Sequence, residues 1–374
     1  MHQVFPMSTE YLKRKIFCTN LVLIFSGLFT FSLRAQIFTD TTVMRCIRKG
    51  IDYTYNMQFE DADKVFSIVS LKYPDSPVNL LIKGVRTYWE NYPMMPNSAT
   101  AASFEEMLRQ CINKCEADKR SELNPEILLT NLSARGMLLL YFTDNGLSRR
   151  VISIAPSTYR FLRHSFAFTS VSPDFYFFTG LYNYYREAYP EIHPIYRPIA
   201  SFFPKGNKAL GIRELEISAS RSTFLKADSY SFLTWIYTNF EKNFPTAIEF
   251  NTRVAELYPS NYTFTITLIK NLFAARRLDE GEKLINSLND KIKNPFMLAQ
   301  VQILNGNLRE MKYKDLKSAR ALYEKGISGL SVYGFVGNEF SSIGYFGQSR
   351  ICESEGDQQG MRKNKRKAEE LSGN

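Results

Sequence analysis

Histidine and tryptophan are scarce in this chain: three His and two Trp in 374 residues. Past residue 35 only His164 and His193 remain, and neither has a second ligating residue beside it, so a zinc site of the paired-histidine or Cys/His kind is not expected. Cysteine is also sparse, with Cys46, Cys111, Cys115 and Cys352 past residue 35. Cys111 and Cys115 stand i, i+4 on an expected helix, which puts them on one face but strains any disulfide between them. Buried thiols are the first expectation, and pairing across the chain leaves three connectivities open for four cysteines. A nucleophile elbow, a phosphate loop and a dinucleotide fingerprint are missing as well. Gly206 to Gly211 has a loop-like spacing but no Lys-Ser or Lys-Thr after it, so these glycines are assigned to a turn and a close helix contact. No Ser or Cys is set as a nucleophile beside a histidine, and the carboxylate pairs Glu60-Asp61, Glu105-Glu106 and Glu214 with Glu216 fit helix starts or polar faces. Neither a catalytic residue nor a cofactor is expected, and no stretch alternates as a strand does.

What the chain does contain is aromatic: 14% Phe, Trp and Tyr, with 22 Tyr and 29 Phe. Such rings fill space between helices or form a recognition surface. At 44% hydrophobic and 22% charged, the composition is that of a folded protein. Lys13, Arg14 and Lys15 precede an uncharged apolar run from Ile16 to Leu33, and Ala35 ends the stretch before Gln36. This is the layout of a secretory signal peptide cut after Ala35, with a retained anchor as the alternative because the run is about 18 residues long. Cys18 opens the run rather than closing it, so lipidation is not expected. The junction has a bacterial, Bacteroidota-like character, and the expected location is the periplasm or an outer-membrane-associated complex. Loss of residues 1–35 removes Lys13, Arg14, Lys15 and Arg34 against Glu10, taking the charge from +10 to +7. The basic run from Arg362 to Lys367 fits the solvated face of a last helix, and for an exported protein nucleic acid is not expected as a partner. Two Asn-x-Ser/Thr triplets, at Asn131 and Asn261, fall on expected helices, which disfavours glycosylation.

Apolar residues recur at helical spacing almost throughout. Between Thr42 and Pro74 a small residue at Gly50, Tyr53 three later, Ala62, Phe66 and the closing Pro74 form a register of 12 from Gly50 to Ala62 and 4 from Ala62 to Phe66. Gly84 follows Gly50 by 34. Ala247 and Pro259 are again 12 apart, and the segment from Tyr262 to Leu288 continues the pattern. After Pro295 come Gly306, Ala319 and Tyr323, with one extra residue in the inter-helix loop, and the helix from Met361 to Leu371 caps the array. A small residue lets two helices approach, an aromatic fills the space beside it, and proline ends the unit.

These positions resemble the tetratricopeptide-repeat (TPR) superfamily, whose period is 34. The resemblance implies an all-α fold, an alpha-solenoid of antiparallel helix pairs forming a TPR-like superhelix. The stretch from Phe175 to Arg186, the prolines at 190, 194, 198 and 204, and Gly206 to Leu215 are similar to the tetratricopeptide-repeat-39 family and its mitochondrial outer-membrane relatives, with Asn207 in place of their acidic residue. The expected organisation is a signal segment over 1–35, N-terminal repeats over 36–146, an aromatic and proline-rich helical middle over 147–225, and C-terminal repeats with the basic cap over 226–374.

In this architecture the first helix of each unit lines the concave face. That places Tyr55, Tyr88, Trp89, Asn239, Phe240, Lys270 and Phe273 on the expected binding surface for a protein or peptide. The alternative is a small molecule or glycan held in a pocket edged by Tyr182, Arg186, His193 and Arg197. On the helix from Phe175 to Tyr189, rings at Phe175, Phe178, Tyr182, Tyr185 and Tyr189 are expected to form one buried stripe, with Tyr176 and Tyr184 pointing elsewhere.

Overall fold

A computed structural model describes residues 37–288 and 290–373. It divides into two units, Met1–Asp40 and Thr41–Asn374. Of the first, a 3-10 turn at Ile37–Thr39 is described, and the expected signal segment lies outside the described residues.

The second unit is helical, with no strand among its described residues. In order, its helices are α1 (Thr41–Tyr55), α2 (Phe59–Lys72), α3 (Val78–Glu90), α4 (Ala99–Ala117), α5 (Pro125–Asp144), α6 (Ser148–Ser165), α7 (Phe175–Ile192) and the short α8 (Arg197–Ala200). Then come α9 (Lys208–Arg221), α10 (Lys226–Asn239), α11 (Phe244–Leu257), α12 (Tyr262–Ala274), α13 (Leu278–Leu288), α14 (Pro295–Leu308), α15 (Leu316–Leu330), α16 (Asn338–Ser354) and α17 (Gln358–Ser372). No described helix is long and apolar enough to cross a membrane.

One turn recurs and reveals the pairing. Met57, Gly146, Lys242, Arg276, Lys314 and Gly356 are all left-handed, with φ between 52 and 81. In each case the next residue's N–H reaches back to the last turn of the preceding helix: Gln58 to Tyr53, Leu147 to Phe142, Asn243 to Tyr237, Arg277 to Leu272, Asp315 to Arg309 and Asp357 to Cys352, at 2.8 to 3.0 Å. That bond satisfies a carbonyl the helix end would otherwise strand. Asn243, Asp315 and Asp357 then cap the following helix through their side chains. The turns join α1 to α2, α5 to α6, α10 to α11, α12 to α13, α14 to α15, and α16 to α17. Lys242 to Arg276 is 34 residues, the TPR period. This is a TPR-like helical solenoid.

The small positions read from the sequence lie at the contacts expected of them. Gly50 faces the Phe66 ring, a Cβ at Gly84 would stand 2.7 Å from Leu108, and one at Gly306 would stand 2.7 Å from the Tyr323 ring. Ala62, Ala247, Ala319 and Tyr323 are all fully buried. The extra residue after α14 is absorbed as a π-helical turn, Arg309–Tyr313, ending at left-handed Lys314. The four cysteines past residue 35 are free thiols, and Cys111, Cys115 and Cys352 are buried.

The stretch 147–225 keeps helix pairing under a disguise. α7 packs on α9, with residues 193–207, a 3-10 turn and α8 among them, standing where other pairs have a tight turn. Glycine makes the contact: a Cβ on Gly211 would lie 2.6 Å from the Tyr184 nitrogen and 2.7 Å from the Gly180 carbonyl. Asn207 accepts from the Leu210 N–H at 2.9 Å and so caps α9. The expected aromatic stripe is corrected in part. Phe175 and Phe178 are buried, but Phe177 and Tyr184 are buried too, and Tyr189 is exposed. The cause is the glycine contact, which turns the Tyr184 face of α7 toward α9 and α10.

Candidate functional site

The early pairs and the later pairs of the array touch. α1 and α3 present Tyr55, Tyr88 and Trp89 inward, as the spacing predicts, yet what they meet is the chain itself. The Tyr55 ring lies 5.3 Å from Trp89 and 5.4 Å from Tyr258, and Trp89 lies 5.9 Å from Phe264 of α12. Tyr92 stands 6.1 Å from Phe296 of α14, and its carbonyl accepts from the Asn294 side chain at 2.9 Å. The Asn56 side chain accepts from the Ser260 N–H at 3.0 Å. Rings at 4.5–7 Å in tilted arrangements add to area burial, so this seam is a packed interface within the array.

Polar atoms in and beside the seam are paired, two of three pairs across it and one within the early helices. The Tyr55 hydroxyl donates to Asp228 at 2.6 Å, the Tyr258 hydroxyl donates to Asp52 at 3.2 Å, and the Tyr88 hydroxyl donates to Asp144. Removal from water pushes the half-buried Asp228 carboxyl up to about 6, opposed by the Tyr55 hydroxyl. Asp144 is likewise pushed up to about 6, first by desolvation and then by the charge of Glu339, with Tyr88 opposing. Asp52 is raised for the same leading reason. The three tyrosines, in turn, are held protonated by their burial beside carboxylates.

The expected concave-face residues therefore divide. Tyr55 and Tyr88 are 3% and 2% exposed, and Phe273, 3% exposed, packs against Gly281 of its own pair. Asn239 bonds the Trp235 carbonyl at 3.1 Å, and Phe240 packs on Tyr184 and Tyr185. Lys270 pairs with Glu339 at 2.5 Å. Trp89, by contrast, is partly exposed. It borders a cleft of about 220 Å³ at the edge of the seam, shared with Tyr92, Tyr262, Glu90, Lys293 and Asn294. Their numbers alone would not have assembled this set, because the cleft exists only where α3 and the α13–α14 loop come together.

Tyr182, Arg186, His193 and Arg197 do not converge on a common space. The Tyr182 hydroxyl donates to the Pro204 carbonyl at 2.6 Å, the Arg186 guanidinium to the Phe203 carbonyl at 3.1 Å, and Arg197 to the Pro190 carbonyl at 3.2 Å. His193 is exposed, with its ring 4.6 Å from Tyr189. These contacts fasten residues 193–207 to α7. Sequence reading also passed over Asp174, fully buried, whose carboxylate accepts from the N–H groups of Thr223, Phe224 and Leu225 at 3.2, 2.7 and 3.0 Å. It ties the start of α7 to the entry of α10. Among the described residues no group of three His, Cys, Asp or Glu is placed to hold a metal ion.

No family model matches the chain, and no curated protein matches it. Among solved structures, the human IFIT1 dimer with PPP-AAAA is similar at TM-score 0.44 and 13% identity, covering 85% of this chain and 70% of that one. The likeness is one of helical architecture and assigns no residue here. That structure does hold a nucleic-acid ligand, PPP-AAAA, so the sequence-based exclusion of nucleic acid as a partner is withdrawn.

Proposed function

We propose that this chain is an exported, non-catalytic helical-repeat scaffold of a divergent bacterial TPR branch, which binds a protein or peptide partner at the cleft beside Trp89. The observation that carries the reading is the division of the inner rings. Tyr55 is used up in cross-array packing and Tyr88 in packing on Phe104 and Asp144 within the early pairs, while Trp89, Tyr92 and Tyr262 leave an aromatic wall open between Glu90 and Lys293. At about 220 Å³ the cleft is smaller than the roughly 300–1,000 Å³ that encloses a whole small ligand. It fits one or two side chains of a larger partner, with a charge of each sign at the rim to orient them. A glycan or small molecule held by Tyr182, Arg186, His193 and Arg197 has no comparable support, since three of those side chains bond the carbonyls of the adjacent segment.

The test is affinity capture from the source organism's envelope fraction with residues 36–374 as bait. Bait carrying Tyr262→Ala with Lys293→Ala should lose the partner while keeping its helical circular dichroism. Undiminished recovery by the double variant would remove the cleft from the function.

A further inference from the structure

α4, α5 and α6 line a second, open cleft of about 370 Å³, which shares no lining residue with the cleft beside Trp89. Each helix contributes one arginine to its wall: Arg109, Arg135 and Arg160. Asn113, Ser153 and Ser157 add neutral polar atoms, and Glu116 is the acidic residue of the lining. The lining carries three cations and one anion, and beyond it Glu105 lies 3.8 Å from Arg109 and Glu122 3.4 Å from Arg160. α6 adds arginines of its own, since Ser148–Ser165 carries Arg149, Arg150, Arg160 and Arg163 and no Asp or Glu, with Arg150 paired to Glu105 at 2.6 Å.

The arginines are oriented rather than loose. Arg135 is 5% exposed, donating to Asn131 at 2.7 Å, to the Ser157 hydroxyl at 2.6 Å, and to the Glu116 carboxylate. Fully buried Phe161 lies beneath two guanidiniums, with Arg135 5.1 Å and Arg160 4.6 Å from its ring centre. Stacking of this kind fixes the plane of each fork, and a planar fork matches the oxygens of a phosphate or carboxylate. Burial of Arg135 works against its charge, and the Glu116 carboxylate works for it. Glu116 also comes within 3.9 Å of Arg160, yet its side chain keeps 35% of its surface exposed at the cleft mouth. It is a counter-ion with room to leave.

We propose that this cleft is a phosphate-binding site, held by Arg109, Arg135 and Arg160 and regulated by Glu116, whose carboxylate competes for the same guanidiniums. A phosphate presents several oxygens and up to two charges to the three forks, where a single carboxylate presents two oxygens and one charge. The remaining volume accommodates the group that bears the phosphate, either a soluble phosphomonoester or a lipid headgroup.

Titration calorimetry of the chain over residues 36–374 with inorganic phosphate and with O-phosphoserine tests the soluble source. Sedimentation with phosphatidic acid vesicles, against phosphatidylcholine vesicles, tests the lipid source. Saturable binding in either arm is expected, and absence of binding in both overturns the proposal. Arg109→Gln and Arg160→Gln, at half-exposed residues, should each weaken it about tenfold with circular dichroism unchanged. Arg149→Gln, exposed and outside the lining, should leave it within about twofold. Glu116→Gln should tighten binding at least about threefold by removing the competing carboxylate. Equal losses in all three arginine variants would mark nonspecific charge attraction, and no gain in Glu116→Gln would remove its regulatory role.

Discussion

Asp228 and Asp144 are carboxylates whose ionisation works against the seam that contains them. Each has a folded value of about 6 against an ordinary 3.8, so the folded protein favours the protonated form. The stability this gives is fully present below about 3.8 and is lost as pH rises through about 6. The full difference would be worth about 3 kcal/mol per group, and partial contact with solvent reduces it to the order of 1 kcal/mol each. Surface carboxylates act in the opposite sense. Asp279, Glu280 and Glu282 are held below their ordinary range, first by hydrogen bonds from Lys312 or Arg277, so their contribution is lost as pH falls through the carboxylate range. Thermal stability should therefore peak near about pH 4, decline between about pH 4 and 6.5, and level off above that. Asp228→Asn should make the decline between about pH 4 and 6.5 shallower, as followed by the melting temperature in matched ionic strength, because it removes one of the most strongly raised carboxylates. A decline of unchanged steepness would mean that Asp228 does not titrate in this range.

At the scale of elements, the glycines of α7 and α9 hold the disguised pair together. Gly211→Ala should destabilise by about 1–3 kcal/mol, since its Cβ would meet the Tyr184 backbone nitrogen at 2.6 Å and backbone cannot rotate out of the way. Asn207→Ala should cost about 1 kcal/mol through the lost α9 cap, and Asn207→Asp should restore it. Urea unfolding with an unchanged slope measures both, and a Gly211→Ala protein as stable as the parent would refute the close contact. The same elements show what the sequence could and could not disclose. Gly50, Ala62 and Phe66 are neighbours along a single helix pair, so their spacing of 12 and 4 encodes a contact that forms locally. Met57, Lys242, Arg276 and Lys314 adopt a left-handed turn with side chains that give no hint of it, because the turn is imposed by the pair and costs each of them only about 1–2 kcal/mol. α7 and α9 lost their register to view because residues 193–207 stand between them. Which inward-facing rings stay open was not legible, since Tyr55 and Trp89 sit in equivalent patterns and differ in what distant parts of the chain bring against them, Tyr258 and Asp228 at Tyr55 and Phe264 at Trp89.

Across Thr41–Asn374, the seam changes how stability is distributed. In an open solenoid each repeat touches its neighbours alone, and a lesion in one unit loosens that unit and the next. Here Trp89 of α3 contacts Phe264 of α12, and Tyr55 of α1 donates to Asp228 of α10. Loss of the Trp89 side chain removes a large apolar surface from both sides at once, a change that in well-packed settings costs about 3–5 kcal/mol. Trp89→Ala should therefore raise amide exchange in α3 and, to a similar degree, in α12, while α7 and α9, which have no ring contact with Trp89, keep their protection. Hydrogen–deuterium exchange read by mass spectrometry resolves these segments. The far response is the deciding one: if α3 and its sequence neighbours loosen while α12 does not, the cross-array packing contributes little to stability, and the inner face is available to a partner along its length rather than at the cleft alone. If α12 loosens with α3, closure of the array is a cooperative element of the fold, and a partner must be met at the edge of the seam, where Trp89, Tyr92 and Tyr262 remain open.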